Sequence, residues 1–260
     1  SKYDAMISHQ EIFEYLEHGI TKIEGNLDEF LAKDPVNIPA RFSKKEDIEI
    51  SGFFTATIAW GQRPTIINNA NKLMMLMDEA PHDFIVNHQE NDLKRFEKFV
   101  HRTFNYDDLL FFIHRLQIMY QQEGGLEKVM LGHFTGDLGQ SLSVFKKQFF
   151  AVDHLPRTQK HLADPLKKST AKRLLMLLRW FVRNDLADFG IWKSIESKDL
   201  LPPIDVHSAK AAREFKLLNR TQNDWKAVVE LGESLKSFNA SDPIRYDYVL
   251  YGLGAFDFMK

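Results

Sequence analysis

Apolar residues recur along this chain at three- and four-residue steps nearly everywhere. In EIFEYLEHGITKIEGNLDEFLAK, the positions Ile12, Phe13, Leu16, Ile20, Ile23, Leu27 and Leu31 form one such stripe. That is the mark of a helix with a single buried face, or of two helices broken near Gly25. DIEISGFFTATIAW is apolar on most sides after Ile50, as a helix in the middle of a bundle has to be. The same period runs through TIINNANKLMMLM, DDLLFFIHRLQIMYQQ, STAKRLLMLLRWFVR, a segment opening near Val206, DWKAVVELGESLKSF and YDYVLYGLGAF. No alternating run is closed by a two-residue Asn-Gly or Asp-Gly turn, the signature of a hairpin. The pattern predicts an all-α body without repeats or long linkers. A long connection is expected from Phe150 to Lys168, through Pro156, Asp164 and Pro165.

Composition narrows the class. The chain has 260 residues, 44% apolar and 27% charged, which suits a soluble globular protein with a sizeable core. It has no cysteine, which excludes disulfides, thiol nucleophiles and thiolate metal sites and suits a reducing compartment. No segment approaches 18 uninterrupted apolar residues, and SKYDAMISHQ lacks the apolar core of a secretion signal. A cytoplasmic location without membrane contact is therefore expected. None of the 10 histidines pairs at a four-residue step beside an acid, so no metal site is expected.

The net charge of −2 conceals an asymmetry. Residues 1–60 carry 11 acids against 6 bases, whereas residues 142–183 carry 10 Lys/Arg against only Asp153 and Asp164, a local charge of +8. Such a segment would draw a polyanion through counterion release, or would be a solvated basic face. Within it, Lys172, Arg179 and Arg183 fall within roughly 20° of one line along a helix. They oppose Leu174, Leu177, Leu178 and Phe181. Either the stripe lies along a cleft that holds an anion, or the Lys and Arg stems cover apolar neighbours.

In LLPPIDVHSAKAAREF, Asp205 follows two prolines and precedes a helical run. Its carboxylate can cap that helix by accepting the N–H of His207 or Ser208, and the helix dipole favours the charge. In WGQRP, Gly61 suits the end of one helix and Pro64 the start of the next.

PPIDVHSAKAAREF resembles the segment that carries the catalytic aspartate of helix-hairpin-helix DNA glycosylases, particularly of the 8-oxoguanine branch. EISGFFTATIAWGQRPTIINNANKL looks like the early buried helix of those enzymes and its DNA-entering loop. STAKRLLMLLRWF resembles the helix that opens with the catalytic lysine in the archaeal 8-oxoguanine branch, and DPIRYDYVLYGLGAF looks like the closing helix. Across the chain, RFSKKEDIEISGFFTATIAWG, FVHRTFN, STAKRLLMLLRWFVR, PPIDVH, QNDWKA and DPIRYDYVLYGLG together resemble an uncharacterised bacterial family, domain of unknown function 2400.

The glycosylase resemblance implies a two-lobed helical fold with a cleft. Residues 46–183 would form the bundle lobe that ends in the hairpin-like helix, and residues 1–45 and 184–260 a second lobe built from both chain ends. It implies a base-excision-repair glycosylase acting on a damaged purine such as 8-oxoguanine, with a lyase step. Asp205 would stabilise the oxocarbenium ion, and Lys172 would attack the sugar carbon, with Lys168 as the second candidate for the amine. Arg173, Arg179 and Arg183 would help keep that amine unprotonated. Trp60, Gln62, Arg63, Lys167, Lys168, Arg179, Arg183 and His207 would contact DNA or the extruded base. Trp180, Phe53 and Phe54 would either stack on that base or belong to the core. The implied partner is DNA, or RNA, with no cofactor and a monomeric state. Two features depart from the pattern: no glycine lies between Asp164 and Lys172, and 33 positions separate Lys172 from Asp205. A nucleic-acid-binding helical protein without catalysis is the alternative, since it would need the basic stripe but neither Lys172 nor Asp205.

Overall fold

The computed structural model describes residues 7–256, and among them the chain is helical throughout, with a lone backbone bridge between His101 and Phe104 instead of a sheet. The N-terminal stripe is broken where expected. Helix α1 (His9–Gly25) ends at Asn26, and α2 (Leu27–Ala32) follows at once. Ser8 caps α1 by accepting the N–H of Glu11. Ile12, Leu16, Ile20 and Ile23 form its buried face.

After the short α3 (Asn37–Ala40) comes α4 (Lys45–Thr57), in which every residue from Ile48 to Thr57 is buried. Ser51, Thr55 and Thr57 keep their hydroxyls satisfied by donating to carbonyls of their own helix, so they add no unpaired polar group to the core. Glu49 is the acid on that helix inside the protein. It accepts from the indole N–H of Trp192 at 2.6 Å and the Tyr120 hydroxyl at 3.3 Å, while burial pushes its carboxyl above the ordinary range.

The next helices are α5 (Arg63–Leu76), α6 (Pro81–Asn87), α7 (Tyr106–Gln122), α8 (Leu126–Leu131) and α9 (Leu138–Phe149). Helices α6 and α8 span fewer than two and a half turns, too few positions for a period to show in sequence. Helix α9 does bury Leu138, Leu142, Phe145 and Phe149 at helical steps, but Gly139, Ser141 and Ser143 dilute the signal. Phe53, Phe112, Phe145 and Phe149 interlock in the centre with ring centroids 5.0–6.3 Å apart. Each buried ring contributes about 2–3 kcal/mol, as an upper bound. Phe54 and Trp180 are also fully buried in the core.

The stretch from Phe150 to Lys168 holds only two 3-10 turns, Pro156–His161 and Pro165–Lys167, as its prolines require. It leads into α10 (Lys172–Val182), followed by α11 (Val206–Glu214), α12 (Trp225–Lys236) and α13 (Asp247–Phe256). Helix α10 packs on α4 at Gly52, where an added Cβ would sit 2.8 Å from the Phe181 ring. Helix α13 packs against α11 and α1. No helix among the described residues is long and apolar enough to cross a membrane.

This packing overturns the expected open basic stripe of α10. Arg179 and Arg183 lie inside the protein, with side chains only 1% exposed. Arg183 grips Asp242 with two bonds of 2.8 and 2.7 Å and Asp188 with one of 2.7 Å. Arg179 reaches Asp188 and Asp247, its guanidinium 3.7 Å from the centre of the Tyr248 ring. Carboxylates from beyond residue 184 draw both arginines inward, so neither faces solvent where a polyanion could touch it.

Candidate active site

Two helix starts meet at one point. Helix α10 opens with Lys172, and α11 is capped by Asp205. Oδ1 of Asp205 accepts the N–H of Ser208 at 2.8 Å, and Ser208 Oγ accepts the N–H of Asp205 at 3.0 Å. This reciprocal box satisfies two N–H groups that the first turn would otherwise leave open. It also fixes the carboxylate, whose other oxygen, Oδ2, accepts from Lys172 Nζ at 3.3 Å. The lysine side chain stays 40% exposed and that of Asp205 17%, so the pair is reachable from solvent.

The pair lines a cavity of about 530 Å³, the size of a small-molecule site. Trp60, Arg63 and His207 line it as well, so five of the residues singled out from sequence converge on one space. Arg63 stacks on the Tyr251 ring at 4.9 Å, and His207 meets the same ring edge-on at 5.7 Å. Trp60 is held from two sides. Its carbonyl accepts from His101 Nε2 at 2.9 Å, and the Arg173 guanidinium lies 5.0 Å over its ring. Burial draws Arg173 down to about 10, which still leaves it charged near neutral pH.

Other expected residues lie elsewhere. Gln62 is exposed at the N-cap of α5, beside Gly61, whose φ of 99° makes the turn that the WGQRP spacing implied. Lys168 is exposed and outside the cavity. Lys167 joins Lys146 and Lys147 at a separate hollow. The segment of charge +8 therefore forms no single outer patch: Arg157 is paired to Asp108, Arg173 packs on Trp60, and Arg179 and Arg183 are inside.

Three cavity residues escaped the sequence reading. Asp34 is buried, accepts the Val36 N–H at 2.9 Å and faces Arg63 at 3.6 Å. Burial pushes its carboxyl above the ordinary range against the pull of Arg63. His161 is buried in the wall, and Tyr251 comes from the last helix. Their partners are distant in sequence, and no local motif marks them. Among the described residues, no group of three or more His, Asp or Glu could hold a metal ion.

Over residues 34–256 the chain matches the family described as a protein of unknown function, DUF2400, and it belongs to that family. Neither the curated proteins nor the solved structures offer a match.

Proposed function

We propose that this protein is a DNA base-excision glycosylase with a lyase step, acting on a damaged purine such as 8-oxoguanine. The observation that carries the reading is the amine of Lys172 at 3.3 Å from Asp205 Oδ2 on the wall of a cavity large enough to admit a base. An amine must lose its proton before it can attack, and Asp205 is placed to take it. The attack forms the Nζ–C1′ bond while the glycosidic bond breaks, and the base leaves with that electron pair and takes up a proton. Loss of a further proton from nitrogen and opening of the sugar give a Schiff base. Asp205 returns the proton it took from the amine to the departing base, and its restored negative charge opposes the positive charge on the sugar.

The turn before α10 supports the same reading. Lys168 and Ala171 adopt left-handed backbone, φ 70° and 48°, which glycine would adopt at least cost. In this reading that turn takes the place of the glycine-rich hairpin turn, and its backbone N–H groups would meet a strand phosphate. In this reading residues 46–183 are one lobe and the chain ends the other. The cavity would then lie between the lobes, since Trp60, Lys172 and Arg173 of the first and Asp34, Asp205 and Tyr251 of the second all line it.

Borohydride should trap a covalent complex with duplex DNA that carries 8-oxoguanine. Lys172→Gln should abolish it, Lys168→Gln should spare it, and Asp205→Asn should slow excision by about 10² or more. Absence of excision across a panel of damaged bases, with DNA still bound, would leave a nucleic-acid-binding protein in which Asp205 is only a helix cap.

A further inference from the structure

The lining of the same cavity includes a group with no task so far. His161 lines the cavity with only 3% of its surface exposed. Its Nε2 lies 3.1 Å from Oδ2 of Asp108, a carboxylate with no exposure at all. Asp108 is anchored independently by the Asn105 N–H at 3.0 Å, the Thr158 hydroxyl at 2.7 Å and Arg157 at 2.6 Å. Burial opposes its charge, but those hydrogen bonds outweigh it and hold the carboxyl below its ordinary range. An ionised carboxylate only accepts, so the proton of the imidazole must be on Nε2.

That assignment determines the other nitrogen. Burial lowers the pKa of His161 despite Asp108, and Arg173 and Lys160 add to the effect, which favours the neutral ring. Nδ1 is then a bare lone pair. It has no hydrogen-bond partner among the described residues, yet it is not among the sealed polar atoms that lack one. The small part of the ring that remains accessible therefore includes Nδ1. Phe104 meets the ring edge-on at 4.9 Å, and Trp60 lies 5.9 Å away at 35°, so the plane of the imidazole is set by packing. The result is a fixed acceptor beside an aromatic platform, and it can be satisfied only by what enters the cavity.

We propose that His161 Nδ1 reads an N–H group on the edge of the base in this cavity, with Asp108 as the positioning residue that holds the required tautomer. The inference rests on the function proposed above. Guanine and adenine present an acceptor at N7, which would confront the lone pair of Nδ1. An 8-oxopurine carries hydrogen at N7 and can donate. The same cavity would thus reject the undamaged base through an unpaired, repelling contact and accept the damaged one.

Three duplexes test this, differing only in an 8-oxoguanine, a guanine or an abasic site at one position, with the wild type, His161→Phe and His161→Gln. The abasic duplex has no base to read but still offers a sugar to Lys172. The wild type should be trapped on the lesion and on the abasic site and not on guanine. His161→Phe should lose about 10- to 100-fold on the lesion and stay within about twofold on the abasic site. His161→Gln can donate to Asp108 and still present an oxygen, so it should recover most of the loss. Unchanged lesion trapping by His161→Phe overturns the inference, and so does an equal loss on both duplexes, which would make His161 a structural support only. Titration of wild type and His161→Phe with free 8-oxoguanine and guanine, followed by tryptophan fluorescence, separates the two claims. A wild type that traps nothing but prefers free 8-oxoguanine, with the preference gone in His161→Phe, refutes the catalytic function and keeps the acceptor. No preference between the free bases refutes the acceptor.

Discussion

At the scale of single residues, Asp205 divides its work between its two oxygens, one bonded to its own helix and the other to Lys172. Those tasks separate under substitution. Asparagine caps a helix about as well as aspartate, so Asp205→Asn should cost under about 1 kcal/mol of stability. Asp205→Ala loses the cap and should cost about 1–2 kcal/mol, since Ser208 also loses its partner. Urea denaturation of the two variants checks this, and equal losses would mean that the cap contributes little. The cap was legible in sequence because every atom involved lies within four positions, Asp205 to Ser208. The carboxylate–lysine contact was suggested by a resemblance, since local spacing says nothing about a pair 33 residues apart. His161 and Asp108, 53 residues apart and flanked by no recognisable motif, could not be paired from sequence at all.

At the scale of helices, the apolar period was legible in most of the longer helices but not in α9, where small residues dilute it. It placed α10 within STAKRLLMLLRWFVR and gave the buried character of α4. What it could not give is how closely two helices approach. Gly52 is the clearest case, because its neighbour across the contact is the Phe181 ring, itself fully buried. A methyl group at position 52 would have to displace that ring within a packed core. Gly52→Ala should therefore destabilise by about 1–3 kcal/mol, although alanine is the better helix former by about 1 kcal/mol. A thermal melt decides between the two effects. A raised Tm would mean that α4 and α10 can separate, and with them the wall that carries Lys172.

At the scale of the whole molecule, the sequence indicated the arginines of α10 but not where they point. A basic position on an amphipathic helix reads as outward until its partners are known, and those partners are Asp188, Asp242 and Asp247, beyond the end of α10. Arg245 extends the network to Asp185 and to Glu17 of α1, so α10, the start of α13 and α1 are joined by charge as well as by apolar packing. Taking one ion out of such a network leaves the rest buried and uncompensated, which costs about 3–5 kcal/mol where it has been isolated. Arg183→Ala should lose an amount in that range, because Asp188, whose carboxyl burial already pushes above the ordinary range, would be left unexposed with only Arg179 beside it. Lys168→Ala, by contrast, removes an exposed cation and should change stability by no more than about 0.5 kcal/mol. Guanidinium denaturation of both variants, with the abasic-site duplex as a probe of the cavity, measures the difference. If Arg183→Ala were as stable as Lys168→Ala, the network would be no more than a surface-like set of charges. If it unfolds early and the abasic-site probe is lost with it, the arginines serve to hold α10 where its first residue meets Asp205.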